Sequence, residues 1–136
     1  MKGFLLDTNV ISELRRPRPH DRVVNWLRGL DEDHVHVCAV SVGELQRGIE
    51  RTRRSDPGKA GEIERWLEAL VAGRNILPMD AAAFREWARL MEGRSATLLE
   101  DAMIAAIARV WGLTVATRNE ADFAALETAH VNPFKG

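Results

Sequence analysis

Short runs of apolar residues alternate along the chain with longer segments in which apolar residues recur every three or four positions. The short runs are typical of buried strands, and the longer segments are typical of helices with one buried face. This alternation predicts an α/β domain with a mainly parallel sheet. The runs predicted to form strands are residues 3–6, 34–40, 76–78 and 113–116, with residues 129–131 as a fifth strand at the edge.

Local signals mark where the intervening helices begin and end. Pro17 disfavours helical backbone in the residue before it, and so ends the helix that follows the first strand. Asp21 or a neighbour is expected to cap the second helix, and Asp56 and Asp80 are expected to cap two later ones. Residues 98–111 are nearly all apolar, which predicts a central helix that packs on more than one side.

Two short motifs match the capping box, in which a Ser or Thr N-cap and a Glu three residues later bond each other's backbone amides. They are Ser41 with Glu44 and Thr97 with Glu100. The first match gives Glu44 a structural role as one alternative. The second assigns the structural role to Glu100, and so leaves the neighbouring Asp101 without one.

The composition restricts the class of protein. The single cysteine, Cys38, excludes an internal disulfide bond, and the apolar run before Asp7 is too short for a membrane span or a signal-peptide core. We therefore expect a cytoplasmic protein that does not enter a membrane. The formal net charge of -1 provides no overall basic surface for nucleic acid.

Arginine nevertheless makes up sixteen of the nineteen basic residues. The arginines cluster at Arg15, Arg16 and Arg18, and again at Arg47, Arg51, Arg53 and Arg54. Each cluster is either a local surface for phosphate contacts or a solvated helix end, where cations lie near the negative end of the helix dipole. The sequence leaves both alternatives open.

Four acidic residues lie just beyond the ends of four separate apolar runs. They are Asp7, Glu44, Asp101 and Asp122. The carboxyl ends of parallel strands and the helices that follow them share one edge of the sheet, so these side chains are expected to meet in one cleft. Two charges about 4 Å apart repel by roughly 1 kcal/mol in water and roughly 4 kcal/mol at an effective dielectric of about 20. Such a cleft predicts a hard divalent cation, Mg²⁺ or Mn²⁺, as the countercharge.

Each acid also has a structural alternative when it is judged alone. Asp7 and Asp122 can cap helices, although Thr8 and Asn9 are able to cap in place of Asp7. Asp101 precedes an apolar stretch, where burial would raise its pKa and neutralise it unless a cation is bound. The prediction of chemistry therefore depends on the four residues together.

Four motifs follow one another along the chain: Leu5-Leu6-Asp7-Thr8-Asn9, Ser41-Val42-Gly43-Glu44-Leu45, Asp101-Ala102-Met103-Ile104-Ala105-Ala106, and Thr117-Arg118-Asn119 followed by Asp122-Phe123. Together they resemble the PIN-domain ribonucleases, in particular the VapC and FitB-like toxins of toxin–antitoxin pairs. The resemblance extends over essentially the whole chain. It implies a single three-layer α/β/α PIN-like domain over residues 1–136, with a sheet of about four or five strands.

The resemblance also implies a site and an activity. The catalytic acids that hold Mg²⁺ or Mn²⁺ would be Asp7, Glu44, Asp101 and Asp122, with hydrogen-bonding support from Thr117 and Asn119. Asp7 and Asp101 would be the most direct metal ligands. The implied activity is that of a metal-dependent endoribonuclease toxin cutting single-stranded or looped RNA. The implied partners are the RNA substrate, a cognate VapB-like antitoxin, and a second copy of the chain in a homodimer or larger assembly.

Two other functions agree with parts of the sequence. A PIN-like scaffold could bind RNA or a protein without cutting, although the intact acids weigh against it. A phosphohydrolase that forms an aspartyl-phosphate also has an aspartate after its first strand. That class needs a second acid two residues later, where this chain has Asn9.

Overall fold

Four short parallel strands form the sheet. The computed structural model describes residues 3–135, and the strands within them are β1 (Phe4–Leu6), β2 (Val35–His36), β3 (Thr114–Ala116) and β4 (His130–Val131). Their order across the sheet is β2-β1-β3-β4, and every neighbouring pair runs parallel. The predicted parallel sheet is confirmed, and β4 lies at its edge as expected.

Helices connect the strands. Within the described residues they are α1 (Thr8–Arg15), α2 (Asp21–Arg28), α3 (Ala39–Arg53), α4 (Pro57–Val71), α5 (Ala81–Met91), α6 (Leu99–Trp111) and α7 (Glu120–Ala125). Helix α3 packs against α4, and α5 packs against α6. No helix between residues 3 and 135 combines the length and the apolar character needed to cross a bilayer.

The two faces of the sheet carry separate hydrophobic cores. Leu5 and Leu6 point to opposite faces because successive side chains alternate along a strand. Leu5 packs in the core that contains Ile104 of α6, whereas Leu6 packs with Val10 of α1 and Val23 of α2. Covering both faces with helices gives the three-layer α/β/α arrangement that was predicted.

The apolar helix α6 is buried on several sides, as its composition predicted. Its buried residues are Ala102, Ile104, Ala105, Ala106, Ile107 and Ala108. Gly112 ends the helix in the left-handed conformation (φ 68°), and the chain then enters the amino end of β3. The first turn of α6 therefore lies at the opposite, carboxyl edge of the sheet, where the acids were expected.

The second predicted strand is shorter than expected, and the third is not a strand. Strand β2 ends at His36, and α3 already begins at Ala39, so the rest of the apolar run leaves the sheet. Leu77 makes only an isolated parallel bridge with Cys38. The pairing ends there because Ala39, whose carbonyl would accept the next bond, already belongs to α3.

Neither predicted capping box forms. Helix α3 begins at Ala39, so Ser41 lies inside its first turn instead of at the N-cap. Helix α6 follows a 3₁₀ turn that Ser95 caps, which places Thr97 inside that turn. In both places helical backbone begins before the motif, so the Ser or Thr is out of register for capping.

The other predictions of helix ends are confirmed. The side chains of Asp56 and Asp80 accept from backbone amides at the starts of α4 and α5, as predicted. Helix α1 ends before Pro17, as predicted. At α2 the cap is the neighbour of Asp21, because the His20 side chain accepts from the backbone amide of Arg22.

Gly3, just before β1, provides a test of the packing at the amino edge of the sheet. Its φ is +107°, and a Cβ added there would lie 2.6 Å from the His34 carbonyl oxygen. We predict that Gly3→Ala lowers the free energy of unfolding by about 1–3 kcal/mol, because a side chain at this φ is strained and meets backbone. Urea denaturation measures the change.

Gly48 is the matched control, because a Cβ added there meets no atom within 4 Å. Since alanine favours helix over glycine, Gly48→Ala in α3 should be neutral or stabilising by up to about 1 kcal/mol. Equal stabilities for the two variants would contradict the prediction.

Candidate active site

Asp7 stands at the junction of β1 and α1, and three hydrogen bonds hold its buried carboxylate. Its Oδ1 accepts from the amide of Thr8 at 2.8 Å, which makes Asp7 the N-cap of α1. Its Oδ2 accepts from Thr117 Oγ1 at 2.7 Å and from Asn9 Nδ2 at 3.1 Å. A carboxylate offers about four acceptor positions, so one position on Oδ1 stays free. The capping alternative for Asp7 is therefore correct, but it leaves the carboxylate able to bind a ligand.

The segment between β3 and α7 is bonded to the same carboxylate. Besides donating to Asp7, the Thr117 hydroxyl accepts from the amide of Asn119 at 2.9 Å. The amide of Arg118 donates to Asn9 Oδ1 at 3.1 Å. Thr117 therefore contacts Asp7 directly, as the predicted supporting role requires. Asn119 contributes its backbone amide, and its side chain makes no hydrogen bond to residues 3–135.

Glu44 lies in the second turn of α3 and is bonded to α1. Thr8 Oγ1 donates to Glu44 Oε1 at 2.8 Å and lies 3.0 Å from Ser41 Oγ. Ser41 and Glu44 share one face of α3 because they are three residues apart, so both reach across to Thr8. Burial raises the pKa of Glu44 to about 7 against the Thr8 bond, and the charges of Glu100 and Asp7 also raise it.

Asp101 and Asp122 complete the group from the first turns of α6 and α7. Their carboxyl groups lie within hydrogen-bonding reach of each other. Burial, this contact and the charges of Asp7 and Glu44 raise the pKa of Asp101 to about 7. The pKa of Asp7 is also raised, first by burial and then by the charge of Asp122, against its three hydrogen bonds. The fold therefore brings all four predicted acids close enough for their charges to interact.

Sequence reasoning missed several residues of this site. Glu100 was assigned to helix capping, but its side chain faces Glu44 and bonds Arg47 Nη1 at 3.2 Å. Thr8, which bonds Glu44, and Ser41, which contacts Thr8, were not expected to act there. Their positions within the motifs that carry Asp7 and Glu44 were the available signal, because polar residues one helical turn apart share a face.

The four acids have no cationic partner in the part of the chain that the structure describes. None of the ion pairs there includes Asp7, Glu44, Asp101 or Asp122. Over the same residues, no three His, Cys, Asp or Glu side chains already form a group that could hold a metal ion. Carboxylate oxygens are nevertheless the ligands that Mg²⁺ and Mn²⁺ prefer. The donor chemistry therefore fits a divalent cation, toward which the side chains would have to draw together.

The chain is similar in sequence to a protein family and to several known proteins. The PIN domain family matches residues 4–128. The chain is 38% identical to the toxin FitB of Neisseria gonorrhoeae, over 96% of this chain and 98% of that protein. It is 35% identical to the plasmid stability protein StbB of Pseudomonas syringae pv. tomato, over 97% and 99% of the two chains. It is 34% identical to the VapC ribonuclease Y4jK of Sinorhizobium fredii, over 97% and 98%.

Solved structures share the fold. The structure of FitAB bound to an IR36 DNA fragment matches with a TM-score of 0.82 at 35% identity, covering 98% of this chain and 96% of that chain. The crystal structure of FitAcB from Neisseria gonorrhoeae matches with a TM-score of 0.80 at 37% identity, covering 98% and 99%.

The raised pKa of Asp101 predicts a change of stability with pH. A carboxyl group whose pKa is higher in the folded than in the unfolded state makes the free energy of unfolding fall as pH rises. For Asp101 the pKa rises from 3.8 to about 7, so the fall is expected between these two pH values. We predict that Asp101→Asn, measured in EDTA, is more stable than the unaltered chain by about 1 kcal/mol at about pH 8, after allowance for solvent screening. Near pH 4 the difference should largely disappear. Urea denaturation at both pH values measures it.

Asp33, an exposed acid before β2, provides the control. Asp33→Asn removes a charge away from the four acids and should not reproduce the gain in stability at about pH 8. The prediction is wrong if Asp101→Asn gains no stability at high pH relative to low pH.

Proposed function

Because the chain belongs to the PIN-domain family, we propose that it is a Mg²⁺- or Mn²⁺-dependent endoribonuclease that acts as the toxin of a toxin–antitoxin pair. Residues 1–136 would act as a single PIN domain. The observation that carries the proposal is that four carboxylates, from α3, α6, α7 and the β1–α1 junction, lie close enough for their charges to interact and have no ion-pair partner among residues 3–135.

The relatives support the reaction class. FitB of Neisseria gonorrhoeae is named as a toxin, and Y4jK of Sinorhizobium fredii is named as a VapC ribonuclease. Each aligns with this chain over nearly its full length at more than 30% identity. We therefore infer hydrolysis of RNA phosphodiester bonds, with single-stranded or looped RNA as the substrate.

Asp7 and Asp101 are the residues we propose as direct ligands, with Glu44 and Asp122 binding the cation directly or through water. Bound Mg²⁺ or Mn²⁺ would supply a Lewis acid that neutralises the phosphate and lowers the pKa of an attacking water. The free acceptor position on Asp7 Oδ1 supports its part in this scheme.

Neutral side chains keep the carboxylates in position. Thr117 and Asn9 hold Asp7 Oδ2, and Thr8 holds Glu44 Oε1. A misplacement of about 1 Å at a catalytic group can cost about 100-fold in rate, so such bonds matter to the reaction. Since none of these donors is charged, they orient the acids and leave the negative charge available to a cation.

The aspartyl-phosphate mechanism gains no support from Asn9. Both ends of its amide are engaged, because Nδ2 donates to Asp7 and Oδ1 accepts from Arg118. An amide also has no proton to transfer at neutral pH. Asn9 is better described as a residue that positions Asp7.

We also propose that a cognate VapB-like antitoxin binds this chain, and that the chain forms a homodimer or a larger assembly. The similar structures of FitAB bound to DNA and of FitAcB support this part of the proposal. They are complexes of a relative that shares both the fold and more than a third of its residues with this chain.

Removal of one carboxylate tests the reaction. We predict that Asp7→Asn and Asp101→Asn each lower the rate of RNA cleavage in Mg²⁺ at least about 100-fold, because each variant lacks a ligand for the charge that stabilises the reacting phosphate. Cleavage of a fluorescent single-stranded RNA measures the rate, and circular dichroism verifies the fold.

Asp33→Asn is the control and should cut RNA like the unaltered chain. Undiminished cutting by Asp7→Asn or Asp101→Asn would remove that residue from the mechanism. RNA binding without any cutting by the unaltered chain would favour the scaffold alternative.

Metal binding should also be visible without RNA. A ligand that binds only the folded state at a hundredfold excess over its Kd stabilises that state by about 2.7 kcal/mol. We predict that millimolar Mg²⁺ raises the Tm of the unaltered chain and not that of the double variant Asp7→Asn/Asp101→Asn. Equal shifts in both proteins would show that the cation binds elsewhere.

A further inference from the structure

The guanidinium of Arg118 is held in place while its N–H groups stay free. It lies 3.8 Å from the centre of the Phe134 ring. Its Nη2 is 3.8 Å from Glu13 Oε1, which is an ion pair but too long for a hydrogen bond. Within residues 3–135 the guanidinium donates no hydrogen bond, and its side chain is 53% exposed.

Glu13 attracts Arg118 without occupying its donors. The Glu13 side chain is only 5% exposed, and other groups satisfy it: Arg16 Nη1 donates at 3.3 Å and the amide of His20 at 2.9 Å. The Glu13 carboxylate therefore interacts with Arg118 through charge alone, without a hydrogen bond. A guanidinium restrained by an aromatic face and a nearby negative charge keeps its donor edge available for a ligand.

Several other arginines are already engaged. Arg47 bonds Glu100, Arg53 bonds Glu50 and Glu64, and Arg94 and Arg109 bond backbone carbonyl oxygens. Two of the arginines in the predicted clusters, Arg47 and Arg53, already use some of their N–H donors on carboxylates. Among the described residues, the Arg118 guanidinium uses none of its donors in this way.

Arg118 is also close to the carboxylates along the backbone. Its amide donates to Asn9 Oδ1, and the preceding residue, Thr117, donates to Asp7. Asn9 and Glu13 are four residues apart on α1, about 6 Å along the helix axis. The guanidinium faces Glu13, a residue about 9 Å farther along the helix axis than Asp7.

A short segment at the end of the chain holds the aromatic ring. Phe134 is 9% exposed, and its amide donates to Asn132 Oδ1 at 2.9 Å. Asn132 Nδ2 donates to Glu120 Oε2 at 3.1 Å, and Lys135 Nζ pairs with the same oxygen at 2.6 Å. These bonds fix residues 132–135, which lie outside the family match, against the start of α7.

We propose that Arg118 binds a phosphate of the RNA next to the phosphate that reacts, and that Phe134 holds the guanidinium ready for it. This inference rests on the proposed ribonuclease function. The planar guanidinium can bond two phosphate oxygens at once. Its positive charge also offsets the repulsion between the RNA backbone and the acidic cleft.

The test measures binding of a short, fluorescein-labelled, single-stranded RNA of mixed sequence. The parent for binding is Asp101→Asn, in which cleavage is expected to be slow enough to measure binding, in buffer containing Mg²⁺. Adding Arg118→Gln should raise Kd about tenfold, because a charge-assisted bond is lost. It should also reduce the slope of log K against log salt concentration by about 0.7, since one phosphate contact to a single strand disappears.

Two further variants separate charge from orientation. Arg118→Lys should keep the salt slope of the parent but recover only part of the affinity, because lysine has no planar donor pair. Phe134→Leu should weaken binding several-fold with an unchanged slope, because the charge stays and the aromatic platform is lost. The matched control is Arg28→Gln. Arg28 lies at the end of α2, which leads toward the amino edge of the sheet, so this variant should bind RNA like the parent.

The outcomes are distinguishable. Parent-like affinity and salt slope in Arg118→Gln would overturn the inference. If the Tm shows that Arg118→Gln does not fold, Arg118→Lys becomes the test. A Lys variant with both the affinity and the salt slope of the parent would overturn the requirement for a guanidinium.

Cleavage assays with Asp101 restored separate the two proposals. No cutting of RNA by the unaltered chain defeats the ribonuclease proposal. Cutting with an unchanged KM in Arg118→Gln defeats only the phosphate contact.

Discussion

The crowding of negative charge at one edge of the sheet is the constraint around which the site is organised. Burial and mutual repulsion raise the pKa values of Asp7, Glu44 and Asp101, so the folded chain holds these groups at a cost. Packing of the surrounding elements opposes this cost. The alanine-rich α6 is buried against its neighbours, and the strand that precedes Asp7 is paired on both sides.

Orientation and charge are provided by different groups. Uncharged donors contact the acids: Thr117 and Asn9 bond Asp7, and Thr8 bonds Glu44. The cations lie farther out, with Arg47 on Glu100 and Arg118 over Phe134. An arginine bonded directly to the acids would have lowered their pKa values and cancelled the charge that a divalent cation requires. The arrangement keeps the carboxylates ordered and leaves their mutual repulsion to be offset by a divalent cation.

Two errors made from the sequence, the length of β2 and the capping role of Ser41, share one cause. Residues 37–40 were predicted to continue a strand, yet α3 begins at Ala39. An apolar run of this length does not distinguish a buried strand from the first turn of a buried helix. The same shift moves Ser41 off the N-cap, which frees Ser41 and Glu44 to contact Thr8. A small error in a helix boundary therefore changed the role assigned to a site residue.

The sequence by itself determined the alternation of strands and helices, the parallel sheet, and the four acids that gather at its edge. These features follow from local periodicity and from the geometry of strand ends, which short segments encode. Only the tertiary structure decided that Thr8 holds Glu44, that Glu100 belongs beside it, and that Arg118 rests on Phe134. These contacts join residues far apart in the chain. They depend on helix register and on how the last residues pack, and no local pattern specifies either.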